Sequence, residues 1–231
     1  MPFAGFDALA YPGDPLMTWL KANTNLGFVG FYLAPAPSRP TSAWMDKRAA
    51  LAAQGWGFAP VYVGQQEQSQ PGAHVLTPAQ GALDAGDASG LMARAGFPAN
   101  SVVYLDCEQG GPASAAVQGY VAAWFDALSA LGTFTPGIYC SHTTAASLLA
   151  LRAFTRVWTW NLVDLKPAAP SFPSRDPAGS GVSQATLWQY AQNVTIALPG
   201  APVASLRVDL DCASVADPSQ PAPPPAAPAV A

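Results

Sequence analysis

Asp106 and Glu108 lie two residues apart in the stretch S-V-V-Y-L-D-C-E-Q at 101–109. Carboxylates serve as general acids, general bases and cation stabilisers. Val102, Val103, Tyr104 and Leu105 form a short apolar, partly β-branched run that reads as a buried strand, and Gly110-Gly111-Pro112 stops it. Side chains alternate across a strand, so Asp106 and Glu108 point the same way. Placing two carboxylates at the end of a buried strand is costly unless chemistry uses them. The alternative at this point is a strand that runs into a solvated polar loop.

The elements around this pair decide between the two. Further strands are predicted at 3–8, 26–34, 58–64, 137–141, 156–162, 186–191 and 206–212. Asp14-Pro15 opens a helix, Thr41-Ser42 caps one containing Trp44 and Leu51, and Thr77-Pro78 starts one that stops at Gly96. The clearest amphipathic helix is 114–131, with Val117, Val121, Trp124, Leu128 and Leu131 at helical spacing, and a short helix follows at 143–153. Between them, 65–77 is a glutamine-rich polar loop. Residues 163–183 are rich in Pro, Ser and Gly and are expected to form a long loop without a helix. Strands alternating with helices imply a parallel sheet, and eight of them closing on themselves make an α/β fold of the (β/α)8 TIM type. The barrel is expected to be imperfect, with missing or irregular helices after strands six and seven, because Pro199 and Pro202 interrupt the last connection. One domain is expected over 1–217. The Pro/Ala-rich 218–231 reads as a disordered tail or a linker to a possible further domain.

In such a barrel the site lies where the strands end. The first strand delivers Asp7, the fourth Asp106 and Glu108, and the fifth Tyr139. The sixth delivers Trp158 and Trp160, the seventh Trp188, Gln189 and Tyr190, and the eighth Asp209 and Asp211. Five of the chain's 14 acids therefore gather at strand ends, where a structural role alone would scatter them over helix faces and loops. Carboxylates beside aromatic rings suit glycoside hydrolysis, which needs one acid to protonate the leaving oxygen and a second group to stabilise the cationic centre. Crowding Asp7, Asp106 and Asp209 around Glu108 should raise one carboxyl pKa, as a general acid requires. The tryptophans are candidates for stacking on sugar faces, with core packing as the competing role.

Composition bounds the partners. Only 10% of residues are charged and the net charge is −4, which argues against a nucleic-acid partner. No apolar run is long enough to span a membrane, and no signal peptide is visible at the start of the chain. Cys107, Cys140 and Cys212 lack metal-ligand spacing and are expected to be buried thiols rather than a disulfide framework. Neither a cofactor nor a metal site is expected, since His74 and His142 are far apart. A divalent cation held by Asp7, Asp106, Glu108 and Asp209 remains a competing reading, because carboxylate clusters bind Mg²⁺ or Ca²⁺.

The motifs also carry a resemblance. G-F-D at 5–7, Y-L-D-C-E at 104–108, G-I-Y at 137–139, L-W-Q-Y at 187–190 and V-D-L-D at 208–211 resemble the family-25 glycoside hydrolase lysozymes. The segment Q-G-A-L-D-A at 80–85 is more similar to their bacterial relatives, the glycoside-hydrolase-like barrel domains. The resemblance implies that Glu108 is the general acid and that Asp106 orients a substrate N-acetyl group or stabilises the developing cation. It implies that Asp7 and Asp209 hold and tune that pair. Tyr139, Trp158, Trp160, Trp188, Gln189, Tyr190 and Asp211 would line the substrate site. The implied partner is a cell-wall glycan or related oligosaccharide, met in a secreted or cell-envelope setting. Asp211 departs from the pattern, since the lysozymes usually carry Asn there. The resemblance also leaves room for a catalytically weak glycan-binding module on the same barrel.

Overall fold

The computed structural model describes residues 1–163 and 170–220. Its strands are β1 (Phe3–Asp7), β2 (Leu26–Tyr32), β3 (Gly57–Tyr62), β4 (Val102–Cys107), β5 (Thr135–Ser141), β6 (Val157–Trp160), β7 (Leu187–Ala197) and β8 (Ser205–Ala213). They close into one barrel in sequence order. The helices are α1 (Asp14–Asn23), α2 (Arg48–Ala53), α3 (Pro78–Arg94), α4 (Ala115–Leu131) and α5 (His142–Leu149). This is the expected (β/α)8-type barrel with irregular helices.

Strands β1 to β7 pair in parallel, whereas β8 runs antiparallel to both β7 and β1. The last connection is thus a hairpin, as the two prolines between these strands foreshadow. Its strands continue past the barrel wall, pairing Val194 with Val208 and Thr195 with Arg207. The helix expected from Thr41 begins only at Arg48, because Trp44 sits in a turn where its indole N–H donates to the Ala8 carbonyl at 3.0 Å. Within 163–183, Pro177–Ser180 forms one 3-10 turn, capped by the Asp176 carboxylate. The rest of that prediction falls partly on 164–169, outside the described residues.

Helix caps follow local chemistry. The Thr77 hydroxyl accepts from Gln80 N and the Ser114 hydroxyl from Val117 N, satisfying N–H groups that have no intrahelical partner. Alternation then divides each strand between lumen and helix layer. Phe31 and Phe58 face outward and meet Phe97 edge-on at 5.2 and 5.8 Å. Inside, Tyr104 and Trp158 pack edge to face at 5.8 Å, so the barrel is filled rather than hollow. Cys107 faces outward against Val117, Tyr120 and Val121 of α4, as its position between the acids predicts. All three cysteines are buried free thiols.

The floor of the barrel is closed by residues that composition assigns to the tail. Val102 N donates to the Ser219 carbonyl (2.7 Å), the Tyr104 hydroxyl to the Pro218 carbonyl (2.9 Å) and the Arg156 guanidinium to the Gln220 carbonyl (3.1 and 3.2 Å). Ser219 is buried. The ordered barrel therefore extends three residues past the expected boundary, to Gln220; 221–231 lie outside the described residues. A chain shortened to end at Asp217 is expected to lose about 3 kcal/mol, because three buried donors lose acceptors worth about 1 kcal/mol each. A lower urea midpoint at unchanged slope would show it.

Candidate active site

Five acids converge at one end of the barrel. Asp7 is the last residue of β1, and Asp106 and Glu108 stand at the end of β4. Asp209 and Asp211 arrive from the opposite direction, because β8 is reversed: Asp209 pairs with Asp7 and Asp211 with Gly5 one layer deeper. The strand-end rule finds them, but the reason differs from the one expected of a parallel strand. Asp7, Tyr32, Val61, Asp106, Glu108, Tyr139, Trp158 and Asp209 line a narrow throat of about 20 Å³. It opens into a cleft of about 590 Å³ between the 8–12 loop and the β7–β8 hairpin, with Asp7, Glu108 and Asp209 at its base.

Hydrogen bonds hold the acids in place. The Tyr32 hydroxyl donates to Asp7 Oδ1 at 2.5 Å. Gln189 accepts from the Tyr139 hydroxyl and donates to Asp209 Oδ2 at 2.8 Å. Asn193 N donates to the other oxygen, Asp209 Oδ1, from a left-handed backbone (φ 56°) at a register irregularity within β7. Trp158 Nε1 donates to Asp211 Oδ1 at 3.0 Å. Beneath β4, the Gln66 side chain donates to the Asp106 carbonyl and accepts from Glu108 N, bracing the backbone that carries both acids. That loop is anchored in turn by Gln65, which shares the buried Asp84 carboxylate with the Tyr120 hydroxyl and Gln80. The 80–85 segment thus fixes the 65–77 loop from α3.

Burial and mutual repulsion oppose ionisation here. Burial, then Asp209, pushes Asp7 up to about 8. Burial, then Glu108, holds Asp106 well above the carboxylate range. Glu108 is open to the cleft, yet the surrounding protein, and then Asp209, still raise it. Asp211 is fully buried and raised by burial and then by Asp7, and its Oδ2 has no hydrogen-bond partner among the described residues. Asp106 Oδ1 is buried with no hydrogen-bond partner among the described residues.

The structure therefore brings together Asp7, Asp106, Glu108, Asp209, Asp211, Tyr139, Trp158 and Gln189. It does not bring Trp188 and Tyr190 to the mouth. Gln189 takes the inward direction, so its neighbours face outward, where the Arg175 guanidinium lies 5.8 and 6.0 Å from their ring centres. Trp160, at the end of β6, is half-buried against His142, edge-on at 6.4 Å. Trp158 is buried and bound through its indole N–H, which fits a structural support of Asp211 better than a free stacking face. Tyr32, Gln66 and Asn193 are site residues that the sequence reading missed. Of these only Tyr32 had a signal, its inward parity at the end of β2. Among the described residues, no group of three or more His, Cys, Asp or Glu is arranged to hold a metal ion, and no helix is long and apolar enough to cross a membrane.

Room for Asp7 comes from Gly30 on the neighbouring strand, where an added Cβ would lie 2.4 Å from Asp7 Cβ. Gly30→Ala is expected to displace Asp7 from Tyr32 and to cost about 1–3 kcal/mol by overpacking. Thermal unfolding should show this loss, whereas Gly86→Ala, with nothing near the added methyl in α3, should not be destabilised.

Comparison with known proteins agrees with this architecture. No curated protein matches the chain. The Mycobacterium tuberculosis Tat-secreted protein Rv2525c, solved with L-tartrate, is 15% identical, with a TM-score of 0.60 over 96% of each chain. The catalytic domain of an endolysin from a bacteriophage of Listeria monocytogenes is 17% identical, with a TM-score of 0.61 over 93% of this chain and 94% of that one. A family 25 glycosyl hydrolase from Bacillus anthracis is 12% identical, with a TM-score of 0.54 over 92% of this chain and 89% of that one. At these identities the likeness is one of fold. The model of the Rv2525c-like, glycoside hydrolase-like domain matches residues 18–204, a span that includes Asp106 and Glu108 and leaves Asp7, Asp209 and Asp211 outside. Since that span covers most of the sequence, the chain belongs to the family of Rv2525c-like glycoside hydrolase-like domains, on a barrel shared with lysozyme-type enzymes.

Proposed function

We propose that this chain is a glycoside hydrolase acting on peptidoglycan or a related N-acetylated cell-envelope glycan, in a secreted or cell-envelope setting. The observation that carries the reading is the pair on β4: Glu108, open to the cleft with its pKa raised by burial and then by Asp209, beside Asp106, whose buried Oδ1 has no partner among the described residues. Glu108 gives its proton to the leaving glycosidic oxygen. Asp106 offers its free oxygen either to a substrate N–H, such as that of an N-acetyl group, or to the cationic centre. Asp7 and Asp209, each held through hydrogen bonds, set the floor of the cleft, and burial, then Asp209, raises the Glu108 carboxyl pKa. The cleft between the 8–12 loop and the hairpin admits an extended chain. The phage endolysin domain and the family 25 glycosyl hydrolase on the same fold support the reaction class, and the Tat-secreted relative supports the setting.

Clearing of a turbid suspension of bacterial walls tests the reading. Wild-type protein should clear it and Glu108→Gln should not. No clearing by either protein across a panel of walls and pH values rejects hydrolysis of peptidoglycan, and retention on the walls without clearing would mark a binding module instead.

A further inference from the structure

The base of the cleft is acidic, with Asp7, Glu108 and Asp209, yet its wall carries one cation, Arg207. Alternation places Arg207, Asp209 and Asp211 on one face of β8, with successive Cα atoms about 7 Å apart. Arg207 stands on the part of the hairpin that projects beyond the barrel, opposite Thr195, and its side chain is exposed. The simplest role for such a residue is that of counter-ion to Asp209. Direct pairing is absent: Gln189 and Asn193 occupy the two Asp209 oxygens, and among the described residues the Arg207 side chain makes neither a hydrogen bond nor an ion pair, so it acts on Asp209 only through space, lowering a carboxyl pKa that burial raises. The other cations near this rim are engaged and do not line the cleft: Lys47 is paired with Asp14 at 2.8 Å, and Arg39 donates to the Leu9 carbonyl and lies over the Tyr32 ring. Arg207 therefore presents a free guanidinium to whatever occupies the cleft.

From this we infer that Arg207 is a specificity residue that admits sugars bearing a carboxylate. The inference rests on the glycan reading proposed above and adds a charge requirement to it. A neutral oligosaccharide has no group that calls for a cation. A carboxylate-bearing one has, because the carboxyl groups at the base offer it no positive partner, and the planar guanidinium fork matches a carboxylate in two-point contact. The hairpin that holds Arg207 is tied across its strands by the Asn193–Asp209 bond at the β7 irregularity, two residues from Arg207 along β8. Two sugar chemistries supply such a carboxylate: the lactyl ether of a muramic acid and the C6 carboxylate of a uronic acid.

Binding measured by calorimetry in a Glu108→Gln background, where turnover is blocked, separates the possibilities. The probes are chitotetraose, which is neutral, an N-acetylglucosaminyl-N-acetylmuramic acid oligosaccharide, and a hyaluronan tetrasaccharide. Adding Arg207→Gln should weaken binding of an acidic probe about tenfold and leave chitotetraose unchanged, since a charge-assisted contact is lost only where a carboxylate is present. Arg207→Lys should restore part of the loss, and higher salt should shrink it. Which acidic probe responds identifies the source of the carboxylate. Equal weakening for neutral and acidic probes, or no weakening, overturns the inference while the glycan reading stands. Failure of the Glu108→Gln protein to bind any probe overturns both.

Discussion

Glu108→Gln is expected to lower kcat on cell walls by about a thousandfold, the scale of a lost general acid, while leaving the unfolding temperature unchanged. The amide has the shape of the acid but cannot deliver a proton to a leaving oxygen. Stability should be insensitive because the Glu108 side chain is exposed and makes no hydrogen bond among the described residues; only its backbone N–H is tied, to Gln66. A surface change of this kind moves stability by about 0.5 kcal/mol or less. Paired measurements of wall clearing and thermal unfolding decide the matter. A variant that still clears at the wild-type rate would remove Glu108 from the reaction, and one that melts early would make lost activity uninformative.

Asp211→Asn is expected to leave stability near pH 4 almost unchanged and to stabilise the protein progressively above it, by about 1.4 kcal/mol per pH unit until the raised pKa is reached. Asp211 is fully buried, its Oδ1 accepts from Trp158 and its Oδ2 has no partner among the described residues, so burial and then Asp7 oppose its ionisation. Its folded-state pKa is raised above the usual 3.8, so the native chain binds more protons than the unfolded one once pH exceeds about 4. Stability from this group is therefore complete below that pH and falls as pH rises toward the raised value. An asparagine side chain keeps an oxygen for Trp158 and offers Asp7 an N–H that never titrates. Urea unfolding from pH 4 to 8 should give a shallower pH dependence for the variant. Parallel curves would show that Asp211 holds no proton. The same substitution restores the residue that the resembling lysozymes usually carry, so its effect on wall clearing reports whether the extra acid tempers activity.

Local pattern accounts for much of the scaffold. The strand–helix alternation, the Thr77 and Ser114 caps, the outward Cys107 and the pairing of Asp106 with Glu108 on one face all follow from residue type and period. Such features depend on neighbours within a few residues, which a single chain displays directly. The aromatic residues of β7 were harder. A period of two says that Trp188 and Tyr190 share a side, but not which side is the lumen; Gln189 takes it because it can reach both Tyr139 and Asp209. The loop residue Gln66 carries no local sign of its role, since its partners are the backbone of a strand some forty positions away.

The sequence by itself determined that acids would collect at the ends of barrel strands, because strand length, alternation and punctuation are local properties. Only the tertiary structure decided how they meet. The reversal of β8 sets Asp209 at the mouth and Asp211 beneath it, closing the barrel by hydrogen bonds to both neighbours that no stretch of β8 alone could announce. The same closure buries Asp211 against Asp7, frees Arg207 on the projecting hairpin and seats Pro218 to Gln220 under the floor. Each depends on segments far apart in the chain, and on a proton balance that exists only once those segments have excluded water.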